Sequence, residues 1–246
     1  LIKVLDKLLW QLPTAFARAP DPPDGARKMT KTWTILAGLS VAWATGALHA
    51  AEIQGDAGAG AQKNAQCIGC HGIPGYRATF PQVHQVPMIS GQGAGYIAAA
   101  LHAYKKGERK HPTMRGVAES LSDQDIADLA AYYQQSAGAA APQPAPAPTP
   151  EVAALLQKGG CVACHGANFA QPLDPSYPKL AGQHADYLFV ALKAYKGEGR
   201  ASLIGRSNGI MAGVAQQFSN AELQALAGYM GALDGGLRTV PEPRFR

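Results

Sequence analysis

The sequence predicts an all-α protein in which two similar helical domains follow one another along the chain. Three observations support this fold class. A five-residue pattern, C-x-x-C-H, occurs twice and contains all four cysteines of the chain. A segment rich in proline and alanine separates the two copies. Each half ends in a capping sequence followed by apolar residues at helical spacing, and neither half has a convincing strand pattern.

The repeated pattern is typical of covalent attachment of a c-type haem. Two thiols a short distance apart form thioethers with the two vinyl groups of one haem, and the adjacent histidine is held as a ligand on one face of the iron. The residues of the two predicted sites are Cys67, Cys70 and His71 in the first copy and Cys161, Cys164 and His165 in the second. We therefore predict two covalently bound haem c groups.

Other uses of paired cysteines fit less well. A zinc ribbon places its two C-x-x-C units about 15–20 residues apart, whereas ninety residues separate Cys70 from Cys161. A redox-active C-x-x-C needs no histidine after it, and an iron–sulfur cluster would leave both histidines unused. A disulfide framework is expected mainly in small secreted chains.

The first 51 residues are predicted to be absent from the mature protein. Residues 1–28 precede Met29, and we interpret them as an upstream, non-native extension; an amphipathic helix lying on a membrane is the alternative. Residues 29–51 have the positive start, apolar middle and small-residue end of a secretory signal peptide, with an uncleaved anchor as the alternative. We expect export to the periplasm, because c-type haem is attached outside the bacterial cytoplasm.

The charge of the chain argues against nucleic-acid binding. The formal net charge is +5, but residues 1–51 hold six of the 22 Lys and Arg and three of the 17 Asp and Glu. The rest of the chain is therefore close to neutral, and no basic stripe of the kind that binds nucleic acid is predicted.

The remaining chain divides into domain 1 at residues 52–135, a linker at 136–150 and domain 2 at 151–246. Alternating proline and alanine in the linker favour an extended, semi-stiff conformation. In each domain a short helical stretch leads into the C-x-x-C-H pattern, a second helix starts at the repeated pattern G-Q-x-x-x-Y, and a capping box starts the last helix. Each domain is thus predicted to have three or four helices. The predicted buried stripes of the last helices are Ile126, Leu129, Ala130 and Tyr133, and Leu223, Leu226, Ala227 and Met230.

Two methionines are the predicted ligands on the other face of each iron. Met114 lies 43 residues after His71, and Met211 lies 46 residues after His165. Both are predicted on irregular stretches before the last helix, and both precede a similar x-G-V-A sequence. Methionine and histidine ligation raises the reduction potential of haem. Met88 and His111 are the main alternatives for the first haem.

Taken together, the two C-x-x-C-H sites, the G-Q-x-x-x-Y helices, the sequence around Met114 and the segment 121–133 resemble the dihaem cytochrome c4 family. The resemblance covers about residues 52–235, with an unusual stretch at 76–88 and a linker unusually rich in proline and alanine. It implies two class I cytochrome c domains with facing haem propionate edges, in a periplasmic electron carrier that is often loosely attached to the membrane. The implied donor is a quinol-oxidising complex or a dehydrogenase, and the implied acceptor is a haem–copper terminal oxidase.

With both axial positions filled, the protein is predicted to carry single electrons rather than to act as an enzyme. Two alternatives stay open: a cytochrome subunit of a periplasmic dehydrogenase complex, and a dihaem peroxidase-type enzyme. Basic residues near Met114 suggest either a solvated loop or a docking patch for an acidic partner. They are Lys105, Lys106, Arg109, Lys110 and Arg115.

Overall fold

The computed structural model describes residues 53–138, 146–197 and 203–241. The predicted extension and signal peptide, the middle of the predicted linker and the last five residues of the chain lie outside the described residues. Within the described part, helices dominate both halves, so the predicted all-α class is confirmed. No helix there combines the length and the apolar character that a membrane span requires.

Each half of the described chain contains five helices in the same order, one or two more than predicted. The helices of the first half are α1 (Ala57–Lys63), α2 (Ala65–His71), α3 (Ala94–Lys106), α4 (Pro112–Glu119) and α5 (Asp123–Gln135). Those of the second half are α6 (Pro150–Gly159), α7 (Val162–His165), α8 (Ala185–Lys196), α9 (Gly209–Gln216) and α10 (Asn220–Ala232).

The last helix of each half begins at the predicted capping box. The Ser122 side chain accepts a hydrogen bond from the backbone N–H of Asp125, whose carboxylate accepts one from the Ser122 backbone. Ser219 and Glu222 repeat the arrangement at α10. Such caps satisfy backbone donors that a helix start leaves free, and each typically contributes about 1 kcal/mol to stability.

Four two-residue strands lie between the helices, so the prediction that the chain has no strands is wrong for these short segments. Strands β1 (Arg77–Ala78) and β2 (His84–Gln85) form an antiparallel pair within the first half. Strands β3 (Arg109–Lys110) and β4 (Gly205–Arg206) form a second antiparallel pair that joins the two halves. Two residues are too few to show the alternating pattern by which a strand is recognised in sequence.

Each half has its own hydrophobic core, formed where the last helix packs on α3 or α8. All eight residues of the two predicted stripes are buried. The second core is the larger and includes two buried phenylalanines, Phe169 and Phe218. The G-Q-x-x-x-Y helices, α3 and α8, and the last helices, α5 and α10, therefore form the walls of the site between them.

Candidate functional site

A cavity of about 850 Å³ extends through both halves. Both cysteine pairs line it, together with both pattern histidines and both predicted methionine ligands. No disulfide bond joins any of the four cysteines, so all four remain available for thioether bonds. The structure therefore brings every sequence-predicted site residue to one continuous space. These residues are Cys67, Cys70, His71, Met114, Cys161, Cys164, His165 and Met211.

The cysteine pairs lie on helices rather than in loops. Cys67 and Cys70 belong to α2, and Cys161 directly precedes α7, which contains Cys164. Residues three apart on a helix lie on the same face, so the two thiols of each pair can reach one ligand. Burial raises the pKa of the Cys67 and Cys161 thiols.

The two pattern histidines are held in the same way. His71 Nδ1 lies 2.8 Å from the carbonyl oxygen of Pro87, and His165 Nδ1 lies 3.2 Å from that of Pro178. Because a carbonyl oxygen only accepts, Nδ1 carries the proton and donates it in each case. Burial lowers the pKa of both imidazoles. Each ring is therefore neutral, with Nε2 left as a potential metal ligand oriented by a backbone hydrogen bond.

The two predicted methionine ligands occupy equivalent positions on short helices. Met114 is the third residue of α4 and Met211 the third residue of α9. The backbone N–H of Met114 donates to Nδ1 of the N-cap residue His111 (3.5 Å), and that of Met211 donates to Oδ1 of Asn208 (2.9 Å). The prediction that both methionines lie on irregular stretches is wrong. Proline and glycine at the first helical positions resemble loop signals, although proline is well tolerated there.

The alternative ligands of the first half have other contacts. His111 caps α4 through Nδ1, and its ring packs edge-on against Phe80 with 5.7 Å between the centroids. Met88 lines the cavity, but its backbone directly follows Pro87, which binds His71. That backbone is therefore part of the support of His71, whereas Met114 lies on a separate helix, as Met211 does in the second half. These positions favour Met114.

Two arginines face each other where the halves meet. Arg109 of β3 pairs with Arg206 of β4 in the antiparallel register. Arg109 donates hydrogen bonds to the hydroxyls of Tyr187 (2.7 Å) and Tyr96 (3.3 Å). Arg206 donates to the hydroxyls of Tyr187 (3.1 Å) and Tyr195 (3.5 Å). We call these five residues the Arg–Tyr cluster, and all of them line the cavity.

The Arg–Tyr cluster carries positive charge without an acidic partner. Among the described residues, no Asp or Glu forms an ion pair with either guanidinium, and Nε of Arg109 is buried without a hydrogen-bond partner. Burial opposes ionisation of Tyr187, but the two guanidinium groups outweigh it and lower the pKa of that phenol to about 7. Buried charges are normally paired, so the cluster is suited to anionic groups such as the carboxylates of haem.

The cavity as a whole fits two haem c groups. It offers two pairs of thiols, two neutral imidazoles, two thioethers, largely apolar walls and a cationic cluster that lacks carboxylates. These are the donors that a covalently attached, axially ligated haem requires. Fold and site together define the class of protein as a dihaem c-type cytochrome.

Comparisons with known proteins identify the family. The cytochrome c family model matches residues 55–137 and again residues 151–234. Cytochrome c4 of Azotobacter vinelandii is 34% identical over 209 residues, which cover 77% of this chain and 93% of that protein. The chain therefore belongs to the cytochrome c family, and within it to cytochrome c4.

Two further relatives are informative. The solved structure of cytochrome c4 from Acidithiobacillus ferrooxidans aligns with a TM-score of 0.54 at 26% identity, covering 69% of this chain and 99% of that one. A protein of Thiomonas intermedia named thiosulfate dehydrogenase electron acceptor is 31% identical over 180 residues, covering 68% of this chain and 78% of that protein. The predicted family, the tandem cytochrome c fold, the two covalent haem c groups and the role in electron transfer are thus confirmed.

Sequence reasoning missed Arg206 and misread the surroundings of Arg109. The segments 105–109 and 196–200 look alike in sequence, but the structure pairs Arg109 with Arg206. Counting back from the methionines gives the right match, because each arginine lies five residues before Met114 or Met211. Arg109 is also unavailable to the suggested docking patch, since its guanidinium binds tyrosines inside the site.

Proposed function

We propose that this protein is a periplasmic electron carrier with one haem ligated by His71 and Met114 and a second by His165 and Met211. The observation that carries the proposal is the repeated support of these residues. In both halves the imidazole donates to a prolyl carbonyl, and the methionine is the third residue of a capped helix on the same cavity.

The side chains suit single-electron transfer. When bound, each haem supplies an iron that alternates between two oxidation states. Neutral imidazole and thioether ligands would fill both axial positions, so no position remains for a substrate. The backbone hydrogen bonds of His71 and His165 fix their ring orientations. Buried core residues exclude water from the cavity walls, which limits rearrangement when the charge changes.

The Arg–Tyr cluster would hold haem carboxylates between the two halves. Two guanidinium groups and Nε of Arg109 offer donors that no acidic residue of the described chain uses. Charge-assisted hydrogen bonds from arginine to carboxylate are among the stronger ones in proteins. A shared cationic cluster would also keep both haem edges close to one interface, which favours electron transfer from one haem to the other.

For the physiological partners, two candidates remain. The carrier passes electrons from a quinol-oxidising complex to a haem–copper terminal oxidase of a respiratory chain, or it serves a periplasmic dehydrogenase. The 31%-identical protein named thiosulfate dehydrogenase electron acceptor supports the second candidate. Rapid-mixing kinetics with a purified oxidase and with a purified thiosulfate dehydrogenase would separate the two. The physiological partner is the one that exchanges electrons at a salt-dependent, second-order rate.

The axial ligation is tested by near-infrared absorption of the oxidised dihaem protein. Methionine bound to ferric haem gives a characteristic charge-transfer band. We expect Met114→Ala and Met211→Ala each to remove about half of the band intensity, because each removes one of two equivalent ligands. Met88→Ala is the matched control and should keep the full intensity. Loss of half the band in Met88→Ala, with none in Met114→Ala, would reverse the assignment in the first half.

A further inference from the structure

Two glutamine side chains, one from each half, form equivalent hydrogen bonds with the opposite half. Gln92 of the first half donates from Nε2 to the carbonyl of Lys179 (3.0 Å) and accepts at Oε1 from the N–H of Lys179 (2.9 Å). Gln183 of the second half donates to the carbonyl of Met88 (2.9 Å) and accepts from its N–H (3.0 Å). Each side-chain amide thus binds both backbone groups of one residue in the opposite half.

The bound residues lie next to the carbonyls that orient the histidines. Met88 follows Pro87, whose carbonyl accepts from His71. In the second half, Lys179 follows Pro178, whose carbonyl accepts from His165. The backbone N–H that each glutamine oxygen binds therefore belongs to the same peptide group as the carbonyl that accepts from the imidazole.

The glutamines are fixed in place by the chain that carries them. Gln92 and Gln183 are 3% and 4% exposed, so their amides are sheltered from water. Each follows a glycine with positive φ, +85° at Gly91 and +75° at Gly182, a conformation that other residues adopt only with strain. The N–H of each glycine donates to a carbonyl of the last helix of its own half. Each Gly-Gln pair therefore connects the last helix of its own half to the backbone segment that orients the histidine of the opposite half.

We propose that each glutamine is a positioning residue for the axial histidine of the opposite half, Gln183 for His71 and Gln92 for His165. A ligating imidazole whose Nδ1–H is well hydrogen-bonded is a stronger electron donor to the metal. Holding the prolyl carbonyl in place keeps that hydrogen bond formed. The reduction potential of each haem then depends on contact with the other half. This inference rests on the proposed histidine ligation.

Substitution of each glutamine by leucine in the full dihaem chain tests the proposal. The readouts are the reduction potential of each haem and the hyperfine-shifted NMR signals of its axial ligands, assigned to one haem or the other with the methionine variants. We expect Gln183→Leu to raise the potential and move the signals of the haem at Cys67 and Cys70. Gln92→Leu should do the same to the haem at Cys161 and Cys164.

A matched control variant distinguishes an effect on the position of the histidine from a general loss of contact between the two halves. The side chain of Gln82 also binds the opposite half, where it accepts a hydrogen bond from the Lys193 ammonium group. Among the described residues, its amide forms no hydrogen bond with Met88 or Lys179. Gln82→Leu should leave both potentials and both sets of ligand signals unchanged. The proposal is wrong if Gln183→Leu and Gln92→Leu shift the haem of their own half, shift both haems equally, or shift neither.

Glutamate variants keep the test valid if the leucine variants fail to fold. Gln183→Glu and Gln92→Glu preserve shape, and an ionised carboxylate accepts from the backbone N–H but cannot donate to the carbonyl. We expect the same crossed shifts at neutral pH, and recovery when acidification protonates the introduced carboxyl group. If the wild-type protein has two histidine-ligated haems but the variants show no crossed shifts, this inference alone is refuted. Wild-type protein without histidine and methionine ligation would refute the proposed function.

Discussion

The two halves support their site residues in the same way, but they hold their first helices by different interactions. In the first half, Lys63 of α1 forms ion pairs with Asp125 (2.7 Å) and Asp128 (2.6 Å) of α5. Asp128 is almost fully buried and also accepts a hydrogen bond from the backbone N–H of Asp56 (2.8 Å). Helix α1 contributes no residue to the hydrophobic core of its half.

In the second half the same place is apolar. When the two capping boxes are aligned, Ala225 occupies the position that matches Asp128. Helix α6 contributes the buried Leu156 to the core, and its only ion pair with α10 among the described residues is the exposed Lys158–Glu222 pair (3.5 Å). The surroundings of the proposed haem ligands are thus alike in the two repeats, whereas the contacts that attach the first helix differ.

Loss of one haem should affect the two halves unequally, and this is the largest effect that we expect. Cys67→Ala with Cys70→Ala, and Cys161→Ala with Cys164→Ala, should each lower the mass by one haem. Among the described residues, the hydrophobic cluster of the first half has six buried residues against eleven in the second, so the first half depends more on its haem to fill the interior.

Mass spectrometry and far-ultraviolet circular dichroism of the two double variants check this expectation. The variant without the first haem should lose more helical signal than the variant without the second. An equal loss in both, or a larger loss without the second haem, would show that the haem contributes similarly to both cores.

Removing the buried carboxylate should destabilise the first half. We expect Asp128→Ala to lower the free energy of unfolding by about 2 kcal/mol, because it leaves the N–H of Asp56 and one side of Lys63 without a partner. Partial exposure of Lys63 keeps the effect below that of a fully buried ion pair. Denaturant unfolding provides the measurement. Glu119→Ala, which breaks the exposed pair with Arg115, is the control and should change stability by less than about 0.5 kcal/mol.

At Gly60, helix α1 also lies too close to α5 to leave room for a side chain. A Cβ atom on Gly60 would lie 2.2 Å from the carbonyl oxygen of Asp128, whereas Ala154 stands at the matching position of the second half. We expect Gly60→Ala to destabilise by about 1–2 kcal/mol, since overpacking outweighs the gain in helix propensity. Gly228→Ala in α10 meets nothing within 4 Å and should be neutral or stabilising. Equal unfolding midpoints for the two variants would contradict the close packing.

Acid should weaken the first half selectively, which is the smallest of these effects. The hydrogen bonds from the Asp56 backbone and the Lys63 side chain lower the pKa of Asp128. The ionised carboxylate therefore stabilises the folded state above the ordinary carboxyl pKa of about 3.9, and this contribution is lost as pH falls through the lowered folded value. Asp128→Asn should unfold with a shallower dependence on pH below about 4. Parallel acid-unfolding curves for the variant and the wild type would contradict this account.

Much of the site could be predicted because its signals are local. The C-x-x-C-H patterns and the capping boxes are each contained in a short stretch of sequence, and Met114 and Met211 are each followed by a similar x-G-V-A sequence. The interdomain features could not be predicted in the same way. The pairing of Arg109 with Arg206, and the contacts of Gln92 and Gln183 with the opposite half, join residues that lie ninety or so positions apart. The Gly-Gln repeat was visible in sequence, but its role depends on how the halves dock.

We propose that a histidine and a methionine occupy the two axial positions of each iron. Addition of carbon monoxide to the fully reduced protein, with haem content measured on the same sample, tests that claim most directly. We expect two haems per chain and no carbon monoxide spectrum from either. Stoichiometric binding of carbon monoxide at one iron would contradict it and would favour a dihaem peroxidase-type enzyme instead.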